Sequence, residues 1–168
     1  MAKASIAGRS TLGVEFGYGT ETTAGTKPGT FTRLDRINGI GGITIEPATI
    51  DASALEDDTT KTIKGRADTG ETVTVTVNFT DETADEWEDV ITEFKALTGG
   101  KQMWFETIQP QLDKAFYFIG EPPEQIPQPE MAQNELLTVE FPITIVAYKG
   151  YDTKVTLTDN PNITGGGN

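Results

Sequence analysis

Cysteine and histidine are both missing from these 168 residues. Without cysteine there is no disulfide, no thiolate metal site and no thiol nucleophile. Without histidine the commonest general base and the commonest transition-metal ligand are gone, and a Ser/His triad is impossible. Positive charge is scarce too: 13 Lys+Arg stand against 26 Asp+Glu, a formal net charge of −13. Tight binding to nucleic acid or to anionic membrane needs clustered cations. The balance fits a protein that stays soluble or repels a polyanion. No apolar run approaches the roughly 18 residues of a membrane span. The opening MAKASIAGRSTLG lacks the apolar core of a signal peptide, so a start in a cytoplasm is expected. The length suits one domain over residues 1–168 with a substantial core.

What is present begins with Glu71–Thr80, ETVTVTVNFT. Val73, Val75, Val77 and Phe79 fall on one face, and Thr72, Thr74, Thr76 and Asn78 on the other. Period-2 alternation of β-branched residues predicts a strand with one buried face. The other face is polar but uncharged, and nearly all threonine. A second long strand, Glu135–Tyr148, repeats the pattern: Leu137, Val139, Phe141, Ile143 and Ile145 on one side, Thr138, Glu140 and Thr144 on the other.

Around these lie weaker signals. Residues 1–30 read as a Gly/Thr/Ser-rich N-terminal arm, with a short strand possible at Gly13–Tyr18. Phe31–Ile37 is a candidate strand and Asn38–Gly42 a turn. Ile43–Ile50 is extended, with Glu46-Pro47 at an edge or bulge. Residues 51–70 form a long polar loop carrying Asp51, Glu56, Asp57 and Asp58, with Leu55 and Ile63 as apolar anchors. Its spacing is not that of an EF-hand, so no metal site is assigned. One helix is predicted at about 83–98. Thr83 caps it, Glu86 completes a capping box, and Trp87, Val90, Ile91, Phe94 and Leu97 form its core face. Gln102–Thr107 and Lys114–Gly120 are aromatic strands, and Glu121–Gln133 is a proline-rich connection. The tail, about 150–168, holds a short strand at Lys154–Thr158 and ends flexibly. No catalytic set can be chosen among the scattered carboxylates, and no cofactor-binding motif is present: Asn38–Gly42 lacks the helix that a phosphate loop needs. The chain is read as a non-enzyme.

The order of these parts resembles the tail tube (major tail) proteins of long flexible-tailed bacteriophages. Glu21–Leu34 resembles the stretch before that family's first sheet strand, Ile50–Asp57 its acidic loop opening, and Gly65–Gly70 the turn before its next strand. The likeness covers most of residues 10–150. An aromatic residue common in the family is replaced by Arg33, and no immunoglobulin-like domain follows Tyr151. The resemblance implies a mainly β fold, two packed antiparallel sheets forming a sandwich or barrel with one flanking helix. It implies a homohexameric ring that stacks into a tube, located in the virion tail and assembled in the host cytoplasm. Thr72, Thr74, Thr76, Asn78, Thr138, Glu140 and Thr144 would face the lumen. Asp51, Leu55, Glu56, Asp57, Asp58 and Ile63 would join rings. The partners would be other copies, the tape measure protein and passing double-stranded DNA within the lumen, and terminator and tip proteins at the ends, with no membrane. Left open are a tube or adaptor of a contractile tail or bacterial secretion system, and a β-sandwich module that binds carbohydrate or sits in a baseplate.

Overall fold

Two residues, Asp35 and Arg36, separate strands that lie near opposite ends of one sheet, so the sheet must curl until those ends approach. The computed structural model describes residues 12–45, 48–66 and 72–162. The expected bulge at Glu46-Pro47, the strand residue Glu71, most of the Gly65–Gly70 turn, the first part of the arm and the glycine-rich terminus lie outside the described residues. The described strands are β1 (Glu15–Thr20), β2 (Phe31–Leu34), β3 (Ile37–Ile40), β4 (Thr49–Asp51), β5 (Thr62–Lys64) and β6 (Thr72–Asn78). After helix α1 (Asp81–Lys95) come β7 (Met103–Ile108), β8 (Lys114–Glu121), β9 (Thr138–Thr153) and β10 (Leu157–Thr158). Among the described residues, eight strands form one sheet in the order β10-β2-β1-β7-β8-β9-β6-β3, and β4 and β5 pair with each other as a separate ribbon. The mainly β class with one helix is what the sequence led us to expect. The facing layers come from a single curled sheet.

The inside of the curl holds the main core. Phe16 and Tyr18 from β1, Val73, Val75 and Val77 from β6, Phe105, Phe118 and Phe141 meet Trp87 and Val90 of α1 there. On the other side of the sheet, Phe31, Trp104, Tyr117, Ile119 and Leu157 form a second cluster. Strands β7 and β8 therefore bury both faces, which is why they read as unbroken aromatic runs without polar alternation.

Several boundaries differ from the expected ones. The helix starts at Asp81 and ends at Lys95. Its cap is Thr80, not Thr83: the Thr80 hydroxyl accepts from Thr83 N–H at 3.2 Å, and the Thr83 hydroxyl accepts from Thr80 N–H at 2.8 Å. Thr83 thus takes the third position of the box, so Glu86 has no part in it and is buried instead. The expected strand Phe31–Ile37 breaks at Arg36, which has a positive φ of 56°. Asn38–Gly42 is no simple turn: Ile37–Ile40 pairs with β6 through a register shift beside Gly39. The expected loop 51–70 contains a ribbon, with Ile50 opposite Ile63. The short strands expected at Gly13–Tyr18 and Lys154–Thr158 are present as β1 and β10 with shifted bounds, β9 runs on to Thr153 into the expected tail, and β10 runs parallel to β2.

Candidate functional site

The polar residues of β6 and β9 are brought into register across the two strands. Thr72 pairs with Thr144, Thr74 with Pro142, Thr76 with Glu140 and Asn78 with Thr138. The alternation that puts Val73, Val75, Val77, Val139, Phe141 and Ile143 in the core turns every one of these polar positions outward. Thr72, Glu140, Pro142 and Thr144 are exposed, and Thr74, Thr76, Asn78 and Thr138 are half-buried. The face runs roughly 20 Å along β6 at about 3.4 Å per residue. Neither Thr72–Asn78 nor Thr138–Ala147 contains a lysine or arginine. Its charges are negative: Glu140, and Glu121 at the end of β8, which pairs with Thr144.

Pro142 and Glu121 were missed by the sequence reading. Pro142 occupies the same alternation and could have been found by carrying the period through it. It sits beyond the end of β8, where one edge of β9 has no partner, a place where a residue without an N–H is tolerated. Glu121 needed the β8–β9 register, which no local pattern supplies.

The loop residues gather elsewhere. In the β4–β5 ribbon, Ile50 and Ile63 form an exposed apolar pair, and Leu55 at the bend is fully exposed. Asp51 accepts the Ser53 N–H at 2.9 Å, and Asp57 accepts the Ala54 N–H at 2.8 Å and pairs with Lys61. Two of the four acids are thus engaged in holding the bend. No group of three or more His, Cys, Asp or Glu side chains that could hold a metal ion occurs among the described residues. On α1, Trp87, Val90 and Ile91 are buried and Phe94 packs half-buried against the main core; Leu97, expected on the same helix face, lies beyond the helix end at Lys95 but still packs half-buried against that core. No helix among the described residues is long and apolar enough to cross a membrane.

Three buried carboxylates had no sequence signal. Glu21 accepts from Trp104 Nε1 at 2.8 Å, Gly25 N–H at 2.9 Å and Gln102 N–H at 3.0 Å. Glu106 accepts from the Tyr117 hydroxyl at 2.7 Å and Val155 N–H at 2.9 Å, and burial pushes its carboxyl above the usual range. Glu86 accepts from Asp35 N–H at 2.9 Å.

No family model matches the chain, and no curated protein matches it. Among solved structures it is similar to a chain of the anti-feeding prophage (AFP) baseplate, with a TM-score of 0.47 and 9% identity over 86% of this chain and 93% of that one. A likeness at that level says nothing about what this chain does.

Proposed function

We propose that the chain is a structural protein of a phage-like tail, and more specifically that its copies close into rings that stack as the tail tube. The observation that carries this reading is the polar face shared by Thr72–Asn78 and Thr138–Ala147, two paired spans without lysine or arginine; the first cation along β9 is Lys149, which lies over the Trp104 ring. A conduit for DNA must not hold it. Each lysine or arginine on the wall would add a phosphate contact and release counterions, which is what makes DNA binding tight. A wall of threonine with Glu140 and Glu121 offers none, and the net charge of −13 adds repulsion.

Two further features support the reading. Among the described residues the sheet ends at β3 and β10 with no further strand paired to either. Open edges are a liability for an isolated chain and are removed when neighbours in a ring continue the sheet. The β4–β5 ribbon exposes Ile50, Leu55 and Ile63, as expected of a segment that packs on another ring. Six copies per ring, the tape measure protein and DNA in the lumen, terminator and tip proteins at the ends, and assembly in a host cytoplasm follow from the resemblance to tail tube proteins.

Electron microscopy of the purified, concentrated protein tests this. Rings or tubes of uniform width are expected. A chain that stays monomeric at high concentration and binds glycans would replace the reading with that of a carbohydrate-binding module.

A further inference from the structure

The corner between β9 and β10 rests on two side chains of neighbouring strands, Glu106 of β7 and Tyr117 of β8, both fully buried. The Tyr117 hydroxyl lies 2.7 Å from Glu106 Oε1 and 2.6 Å from the carbonyl oxygen of Thr153, the last residue of β9. Both are hydrogen-bond distances between oxygens, and each contact needs a proton. The hydroxyl carries only one. The Thr153 carbonyl can only accept, so Tyr117 donates to it, and the proton on the other contact must come from Glu106. The Val155 N–H does not supply it: it donates to Glu106 Oε1 at 2.9 Å and to the Tyr117 oxygen at 3.1 Å. A second observation agrees. Glu106 Oε2 is buried with no hydrogen-bond partner among the described residues. An ionised carboxylate would leave charge there unsolvated, whereas the carbonyl oxygen of a neutral acid tolerates it at far less cost.

We propose that Glu106 is a neutral acid in the folded chain and passes a hydrogen bond through Tyr117 to the Thr153 carbonyl, a clip on the β9–β10 corner that ionisation of Glu106 loosens. After ionisation one proton serves two acceptors. The Tyr117 hydroxyl turns to the carboxylate, the stronger acceptor, and the bond from Val155 tightens as well. The loss falls on Thr153, whose carbonyl then faces the phenolic oxygen with no proton between them. Among the described residues β10 pairs with β2 alone, so the corner helps to set its place. Its Leu157 lies over Gly17, where a Cβ would come within 2.5 Å of it, and covers the outer cluster.

The charges around Glu106 are already engaged. Glu15 of β1 repels it but pairs with Arg33 of β2 at 2.8 Å, and Arg33 also holds Asp159 at 3.0 Å. Lys27 attracts it, yet its ammonium is bound by Asp152 at 3.2 Å and by the Thr153 carbonyl at 3.0 Å, above the Tyr117 ring. Burial and Glu106 itself push the Tyr117 hydroxyl up, so it keeps its proton. Burial outweighs the bonds from Tyr117 and Val155 and the Lys27 charge, and holds the Glu106 carboxyl above its usual range. The clip's contribution is therefore full below the unfolded carboxyl value of about 4.3 and is lost as pH rises through the raised folded one. The inference concerns one isolated chain and does not depend on the tube reading.

Thermal unfolding of the full-length protein and of Glu106→Gln between pH 4 and 8 tests it. The amide cannot ionise, so the gap between the two midpoints should move in the variant's favour by about 2 °C or more as pH rises. A gap that stays constant, or that moves in the wild type's favour, would mean that the folded chain holds an ordinary or a stabilised carboxylate, and would overturn the proposal. Should the variant fail to fold, carbon-13 titration of the wild-type Glu106 carboxyl decides: a midpoint above about 4.3 supports the neutral acid, and one at or below it sinks it. Hydrogen exchange over Lys154–Thr158, corrected for intrinsic rates, reads the corner itself. Protection there should fall through the same midpoint, and unchanged protection would remove the clip.

Discussion

The indole of Trp87 lies flat on the ring of Phe141, with centroids 4.0 Å apart and planes 1° from parallel. This stack joins α1 to β9 at the centre of the core, and both side chains are fully buried. Trp87→Ala should destabilise the chain by about 3–5 kcal/mol, since the curled sheet cannot collapse into the space. Trp87→Phe should cost much less, because it keeps the ring contact. Urea denaturation followed by far-UV circular dichroism measures both. A Trp87→Ala loss under about 1 kcal/mol would mean that the helix does not hold the curl closed.

The two threonines at the helix start make separable predictions. Thr80→Ala removes the hydroxyl that accepts from Thr83 N–H, and should cost about 1 kcal/mol. Thr83→Ala removes more: its hydroxyl accepts from Thr80 N–H and donates to the Asn78 carbonyl, and it is buried. The larger effect should therefore fall on Thr83, by about 1–2 kcal/mol over Thr80. Equal midpoints in chemical denaturation would refute that order.

This pair also shows why part of the fold was legible and part was not. The period of β6 and of the helix stripe is local, so the sequence carries it. The cap frame is not: Thr80 and Thr83 stand three apart, and both fit a box. The break at Arg36 is hidden because Phe31–Ile37 continues an acceptable strand pattern through it, and only the curl of the whole sheet demands the turn. The three-residue strands of the ribbon are too short to show alternation. Within the candidate site, threonine placement was legible from β6 and β9 separately. Their pairing, and Glu121 beside Thr144, required the register. The burial of Glu21, Glu86 and Glu106 depends on partners from distant segments, so nothing near them in sequence announces it.

Glu21 predicts a limb of acid sensitivity. Burial pushes its carboxyl up, but the hydrogen bonds from Trp104, Gly25 and Gln102 outweigh this and leave it below its ordinary value. Its contribution is therefore present above the unfolded carboxyl range and is lost as pH falls through the lowered folded value. Glu21→Gln sets an amide NH₂ against at least one of these donors, and should cost about 1.5–3 kcal/mol at pH 7. The same substitution should flatten the stability profile below about pH 4.3. Thermal unfolding between pH 3 and 7 checks both. An unchanged acid limb would show that other carboxylates set it.

On the proposed tube reading, substitutions in the ribbon should affect assembly and not folding. Ile50 and Ile63 are about half exposed and lie off the main core. Replacing both with serine should change monomer stability by no more than about 0.5 kcal/mol. The same double variant should abolish tube growth in electron micrographs while leaving single rings. Tubes of normal length would remove the ribbon from any role between rings.

Glu140→Lys tests the proposed lumenal wall. Glu140 is exposed and faces Thr76 across the β6–β9 pair, so lysine fits without disturbing the core. Folding and tube formation should survive. In a six-membered ring the change would place six cations around one level of the lumen and remove six anions. Each new cation is a possible phosphate contact, and contacts of this kind weaken steeply with salt. DNA ejection should slow, and the delay should shrink as ionic strength rises. Thr74→Gln, equally bulky but neutral, should leave ejection unchanged and so separates charge from obstruction. Normal ejection kinetics with Glu140→Lys at low salt would mean that β6 and β9 do not face the DNA.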